Sequence, residues 1–240
     1  MTDMIQKLIY SLVTLVWALS PLQTQPNPNL RVGKVFEKDS HQSQLLFNFR
    51  SETKSTGDVE KTDSAFTDPS GAVAATEAVT LKGGEFLRFE VRLNQVNESG
   101  TAEKIGDKIY FTYTKEGVTR KSDEKASGVF LVGPTIVPYL EKNWAEIQAG
   151  RSLSVRLGVP SRQETVGFEY FKTGSGDGAT ADRVEVKMKP KSFIIAALVD
   201  PILFNFNWSG SKLIRVIGRT TPLVKVDGKW KPLDAETVYE

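Results

Sequence analysis

The chain has 240 residues, 40% of them hydrophobic and 25% charged, with a formal net charge of +2. That length and mixture suit one packed domain and argue against wholesale disorder. The near balance of charge, with Lys and Arg interleaved among Asp and Glu, lacks the basic face of a nucleic-acid binder. Cysteine is absent and His41 is the one histidine. Disulfides, thiolate metal sites, a Cys nucleophile and a lipid-modified Cys are therefore excluded, a His-based metal centre lacks ligands, and no cofactor is expected. With no G-x-S-x-G elbow in the sequence, His41 is read as a loop or edge-strand residue and not as a triad member.

In chain order, the first feature is Lys7 followed by the uncharged run Leu8–Leu19. It is too short to span a bilayer comfortably, but it fits the apolar region of a secretory signal. Pro21, Pro26 and Pro28 then break any helix. Residues 1–24 are assigned as an export segment, and residues 25–240 as a single β-rich domain. Ala18-Leu19-Ser20 has the small-x-small form for cleavage, but Pro21 would hinder a cut there, so cleavage after Thr24 and an uncleaved anchor both stay open.

From Leu30 onward the dominant period is two. Leu30–Phe36 and Leu45–Phe49 read as strands, while Lys54–Ser70 reads as a loop or weak hairpin. In Glu85–Gln95, Leu87, Phe89, Val91 and Leu93 alternate with polar residues, the mark of a strand with one dry face. Lys108–Thr114, Ser152–Val159, Arg183–Lys189 and Ile202–Trp208 repeat the pattern. Lys212–Arg219 is a further β-rich run, and Val224–Trp230 reads as a hairpin around Asp227-Gly228. Two stretches differ. Thr135–Gln148 carries Ile136, Leu140, Trp144 and Ile147 at helical spacing, with Gly150 placed for a C-cap. Ser192–Val199, between prolines, fits a short buried helix or a core strand, with the helix preferred. Gly174–Gly178 reads as a surface connector: no helix or Lys-Ser/Thr pair follows it to make a phosphate loop. The expected fold class is mainly β: an antiparallel half-barrel or strongly curved sheet with one or two helices on its concave side.

Acidic pairs such as Asp123-Glu124, or Glu164 with Glu169, show no sign of convergence across a cleft, and no calcium-loop pattern is present. The aromatic residues are concentrated in the second half. A helix laid across a curved sheet can leave a gap that holds an acyl chain, and Tyr139, Leu140, Trp144, Phe204, Phe206 and Trp208 are the expected lining. An outer-membrane barrel shares the period of two, but the mid-chain helix, the uneven strand spacing and the charged terminus Glu240 argue against it.

Val184–Pro190, Asp200-Pro201-Ile202, Leu213-Ile214 through Gly218, and Trp230 through Tyr239 resemble a group of secreted β-proteins filed under domains of unknown function. The likeness runs from Phe130 to Tyr239, while Arg31 to Gly84 has no counterpart. It implies an open half-barrel with a helical lid, as in the periplasmic lipoprotein carriers, and it assigns no catalytic residue. Together these readings lead to an expectation of an exported, non-enzymatic, periplasmic or secreted envelope protein that binds a lipid, acyl chain or other apolar ligand. A structural or interaction module that binds an envelope protein partner through a sheet edge or face is the alternative. Membrane contact is expected only through the signal segment, and no nucleic acid is expected.

Overall fold

The computed structural model describes residue 27 and residues 29–173, 182–197 and 199–240. The expected export segment and the Gly174–Gly178 connector lie outside the described residues. Eight strands come first in the chain: β1 (Leu30–Glu37), β2 (Leu45–Thr56), β3 (Val59–Thr67), β4 (Val73–Lys82), β5 (Glu85–Leu93), β6 (Glu98–Ile105), β7 (Lys108–Lys115) and β8 (Val118–Lys125). After the two-residue β9 (Phe130–Leu131) come a 3-10 turn, then α1 (Ile136–Lys142) and α2 (Trp144–Gln148). Next are β10 (Leu153–Val159), β11 (Glu164–Lys172), β12 (Arg183–Pro190) and α3 (Phe193–Ala196), then β13 (Ile202–Asn207), β14 (Leu213–Val226) and β15 (Lys229–Tyr239).

Among the described residues all 15 strands form one sheet, in the order β8-β7-β6-β5-β4-β3-β2-β1-β15-β14-β13-β12-β11-β10-β9. Every neighbouring pair is antiparallel except β9 with β10. The two edge strands, β8 and β9, are separated by only Ala126–Val129. Laid flat, fifteen strands would place those edges about 67 Å apart, whereas the linking residues reach at most about 17 Å. The sheet has to curl until its edges meet.

The edges meet by overlapping. On β6 and β7 the inward positions include Gly100 and Tyr113, paired across the ladder, and a Cβ on Gly100 would lie 2.6 Å from Pro160 Cβ. Pro160 belongs to the 3-10 turn joining β10 to β11, so the tip of that hairpin tucks against the inner face of β6 and β7. Further along the seam, Glu124 on β8 accepts hydrogen bonds from Arg156 Nη2 (2.9 Å), Thr165 Oγ1 (2.6 Å) and Thr165 N (3.2 Å). Ser122 Oγ donates to the Gln163 carbonyl at 2.5 Å. No β-ladder joins β8 to β9 or β10 among the described residues, so side chains hold the overlap.

Most of the expected alternation is present: Ile109 and Phe111, Val184, Val186 and Met188, and Phe204 and Phe206 are all buried. In β5 a bulge opposite Thr80 and Leu81 shifts the register, so Phe86 turns inward and Leu87, expected inside, is exposed. Lys54–Ser70 forms most of the β2–β3 hairpin, a continuous ladder from Asn48↔Thr67 to Thr56↔Val59. The Asp227-Gly228 hairpin has both residues at positive φ, 52° and 76°, as a two-residue turn of that type demands.

The expected helix at 135–148 is two short helices broken at Asn143, whose Nδ2 donates to the Tyr139 carbonyl at 2.8 Å. Gly150, at φ 78°, ends the second. Both pack inside the curl against β10–β14: Leu140 and Ile147 are fully buried with Tyr170, Val186, Met188 and Phe206. α3 corrects the expectation of a buried element at Ser192–Val199. It is a single exposed turn, capped by Ser192 Oγ accepting from Ile195 N.

Glu124 gives the seam a pH signature. Burial alone would raise its pKa, but hydrogen bonds from Thr165 and Arg156 outweigh that and hold it below the usual carboxylate range. Its contribution is therefore complete above the ordinary carboxylate pKa and is lost as pH falls through the lowered value. Glu124→Gln is expected to cost roughly 1–3 kcal/mol at neutral pH by chemical denaturation, with wild type and variant converging in acid. Amide exchange in β8 should rise more than in β13; equal stability at pH 7 would remove the seam from the account of closure.

Candidate functional site

The helices fill one side of the lumen, and the space left lies on the other, against β1–β5. It has two chambers. The outer one, about 750 Å³, opens at the end of the barrel where the β2–β3 and β4–β5 turns lie, and falls within the range of small-molecule sites. Val79, Leu81, Phe86 and Phe130 make its apolar lining; Thr62 and Glu60 sit beside Val79 and Leu81 across β3 and β4, and Arg31, Thr53 and Glu141 complete the polar lining. The inner one, about 150 Å³, sits deeper, with Phe49, Phe66, Ile136 and Phe204 as its apolar lining and Ser64, Glu77, Thr221 and Thr237 as its polar lining. Arg31, Ser51, Pro134 and Tyr239 border both.

Four of the polar lining residues form one rung of the sheet. Arg31 pairs with Ser51 across β1 and β2, Ser51 with Ser64 across β2 and β3, and Ser64 with Glu77 across β3 and β4. Because side chains alternate along each strand and align across a ladder, all four project into the lumen at one level. Ser64 Oγ donates to Ser51 Oγ at 2.9 Å. Arg31 Nη2 reaches across to Glu141 Oε1 on α1 at 3.3 Å, tying the helix to the opposite wall. Glu77 accepts a 2.8 Å hydrogen bond from Thr221 Oγ1, where β14 bends into the lumen. The 3-10 turn before α1 presses on the same carboxyl: a Cβ on Gly133 would lie 3.1 Å from Glu77 Oε1.

Burial shifts these groups together. It raises the Glu77 pKa, opposed by the Thr221 hydrogen bond, and it raises Glu141, opposed by the Arg31 charge. Tyr239 is pushed up to about 12, mainly by burial, with Arg31 lowering it and Glu77 raising it. The lumen thus offers a guanidinium, two carboxyls of reduced acidity, hydroxyls and an apolar wall. Such a set can seat a molecule with both a polar and an apolar end. Among the described residues no group of three or more His, Asp or Glu side chains could hold a metal ion, and no helix is long and apolar enough to cross a membrane.

Of the six residues expected to line a pocket, Tyr139 borders the outer chamber and Phe204 the inner one. Leu140 and Phe206 are fully buried in the packed core between helices and sheet. Trp144 is enclosed there too: its ring lies 5.0 Å from that of Phe206 and its Nε1 donates to the Trp208 carbonyl at 3.1 Å. Gly210, at φ 73°, packs on the Trp144 indole so closely that a Cβ there would come within 2.1 Å of it. Trp208 is 58% exposed, with Lys172 Nζ 5.1 Å from its ring, and lines neither chamber. His41 lies in the β1–β2 loop. Glu77 was missed because β4 was not recognised as a strand, and Ser64 because Lys54–Ser70 reads as a loop or weak hairpin. The signal for β4 is Glu77 in phase with Ala75, Val79 and Leu81, a carboxyl in the dry register.

A group with a raised carboxyl pKa binds its proton more tightly in the folded state, so Glu77 costs stability above its folded pKa and that cost disappears as pH falls toward the unfolded value. Glu77→Gln, which keeps the acceptor for Thr221, is expected to melt higher than wild type at pH 8. The difference should shrink as the pH is lowered toward 4. A lower melting temperature for the variant at pH 8 would mean that Glu77 is paired more strongly than its one hydrogen bond indicates.

No family model matches the sequence, and no curated protein is similar to it. Among solved structures, the chain is similar to a beta-barrel-like protein of the domain of unknown function DUF1849 from Brucella abortus. The identity is 9% over 88% of this chain and 94% of that one, with a TM-score of 0.41. That alignment covers most of both chains and is not confined to the C-terminal half that carries the sequence resemblance. By its own strand pairing, the chain is a mainly β protein built on one large, unclosed, almost wholly antiparallel sheet.

Proposed function

We propose that the protein is an exported, non-enzymatic component of the cell envelope that binds an amphiphile, an acyl chain or other apolar body with a polar end, in the lumen between α1 and strands β1–β5. The observation that carries this reading is the mixed lining of the outer chamber, where Val79, Leu81, Phe86 and Phe130 share one cavity with Arg31 and Glu141. Apolar surface left unfilled inside a fold forgoes about 25 cal/mol for each Å² that a ligand would bury, and the rung gives a polar end somewhere to go. Export rests on Lys7 and the uncharged run Leu8–Leu19, and a periplasmic or secreted location goes with it.

Native mass spectrometry of protein purified without detergent from its host's envelope, followed by solvent extraction, tests the reading directly. The expected result is a co-purifying acyl species close to one per chain. Leu81→Trp, which fills the outer chamber from its apolar wall, should weaken binding of an anthroyloxy-labelled stearate about tenfold while leaving the melting temperature within a few degrees. A bare mass together with no saturable binding of the stearate rejects the proposal.

One observation favours a second reading, an interaction module acting by strand addition. β8 ends the sheet, and one edge of it carries no ladder partner among the described residues. Free edges template a partner strand. Capture of an envelope protein by the full chain, abolished by Arg120→Pro on β8 and untouched by Leu81→Trp, would put this reading first.

A further inference from the structure

The end of the barrel opposite the outer chamber carries apolar side chains that nothing among the described residues covers. The β12–β13 connection lies there and contains α3, whose Phe193 is 88% exposed and Ile194 74% exposed. The turn is held in shape: Ser192 caps it, and the Ala196, Ala197 and Val199 amides donate back to Ser192, Phe193 and Ile195 carbonyls. Two adjacent large apolar side chains on an ordered, projecting turn are unusual on a water-facing surface. The β14–β15 hairpin turns at the same end and exposes Val226 and Trp230, with Lys225 Nζ 5.7 Å from the Trp230 ring.

Lysines outnumber acids around both tips. From Lys187 to Asp200 the chain carries Lys187, Lys189 and Lys191 against Asp200 alone, and from Lys225 to Lys231 it carries three lysines against Asp227. Lys189 is drawn toward Glu169 on β11 at 3.9 Å, and Asp200 is engaged by Lys38 at 3.7 Å, so neither acid leaves a tip negative. Lys225, Lys229 and Lys231 are exposed and have no carboxylate partner among the described residues. A protein partner would need a matching concave surface. A bilayer asks only for apolar and tryptophan side chains at headgroup depth with cations beside them.

We propose that this end is a membrane-docking face: Phe193, Ile194 and Trp230 enter the headgroup region of an anionic bilayer, and Lys191, Lys225, Lys229 and Lys231 pair with lipid phosphates. Docked in this way, the barrel keeps the mouth of its outer chamber turned away from that bilayer. The proposal is independent of any ligand in the lumen, and it extends membrane contact beyond the Leu8–Leu19 segment.

The absence of cysteine makes the test specific, because one introduced thiol is the only label site. Ile194→Cys in the full chain is labelled with nitrobenzoxadiazole, and Ile105→Cys, 56% exposed in the β6–β7 region at the mouth end, is labelled as the orientation control. The added vesicles contain roughly 70% phosphatidylcholine and 30% phosphatidylglycerol, or phosphatidylcholine alone. The expected result is a blue shift and quenching by spin-labelled lipid at position 194 with the anionic vesicles only, reduced by about 0.5 M salt and absent at position 105. Adding Lys191→Glu and Lys229→Glu should weaken the response at 194 at least about tenfold. An unshifted label at 194, an equal shift at 105, or an equal shift on neutral vesicles each overturns the proposal. The local readout keeps adsorption through the N-terminal segment from being mistaken for docking.

Discussion

Ala126–Val129 are four residues of connection between the two ends of a fifteen-strand sheet. The reach of a polypeptide is fixed by its covalent geometry, so this link dictates curvature more firmly than any side chain does. Once the ends are tied, one face of every strand must look inward, and the interior has to be filled or left hollow. The overlap follows as well. β10 and β11 slide under β8, which is why outward-facing Arg156 and Thr165 meet inward-facing Glu124.

A lumen of this size is too wide for strand side chains alone to fill, and the chain inserts α1 and α2. The helices go to one side, where Leu140, Trp144 and Ile147 complete a core with β10–β14. The division of the interior into a packed half and a hollow half follows from that single placement. Arg31 and Glu141 span the boundary, and Glu77 faces it from the far wall with Gly133 pressed against it. On the outer face, a second polar chain runs across β12–β15. Glu185, Asn205, Arg215 and Glu236 are linked by hydrogen bonds of 2.9–3.3 Å, fixing the register of the strands that carry the helices.

The fold class was legible because alternation reports a dry face wherever the inward residues are large, as in β7, β12 and β13. It failed where the inward residues are small or polar for a structural reason. On β6 they are Gly100 and Ala102, kept small because Pro160 packs on Gly100, and on β8 they are Ser122 and Glu124, which serve the seam. The site was less legible than the fold. Period two says which face of Phe206 and Trp208 is favoured, but not that a helix covers the first or that the strand leaves the lumen before the second. The rung of Arg31, Ser51, Ser64 and Glu77 is assembled from four successive strands, and only a known register brings them to one level.

In a closed barrel, strand number and shear together set the radius, which can change only in whole steps of pairing. A sheet whose ends overlap has no such quantum. Its girth is bounded by the Ala126–Val129 link and held at the overlap by Ser122 on the Gln163 carbonyl and Glu124 on Arg156 and Thr165, none of which is a ladder bond. Those side chains act as the clasp of a hoop, and the width of the lumen is held at a place that touches neither chamber.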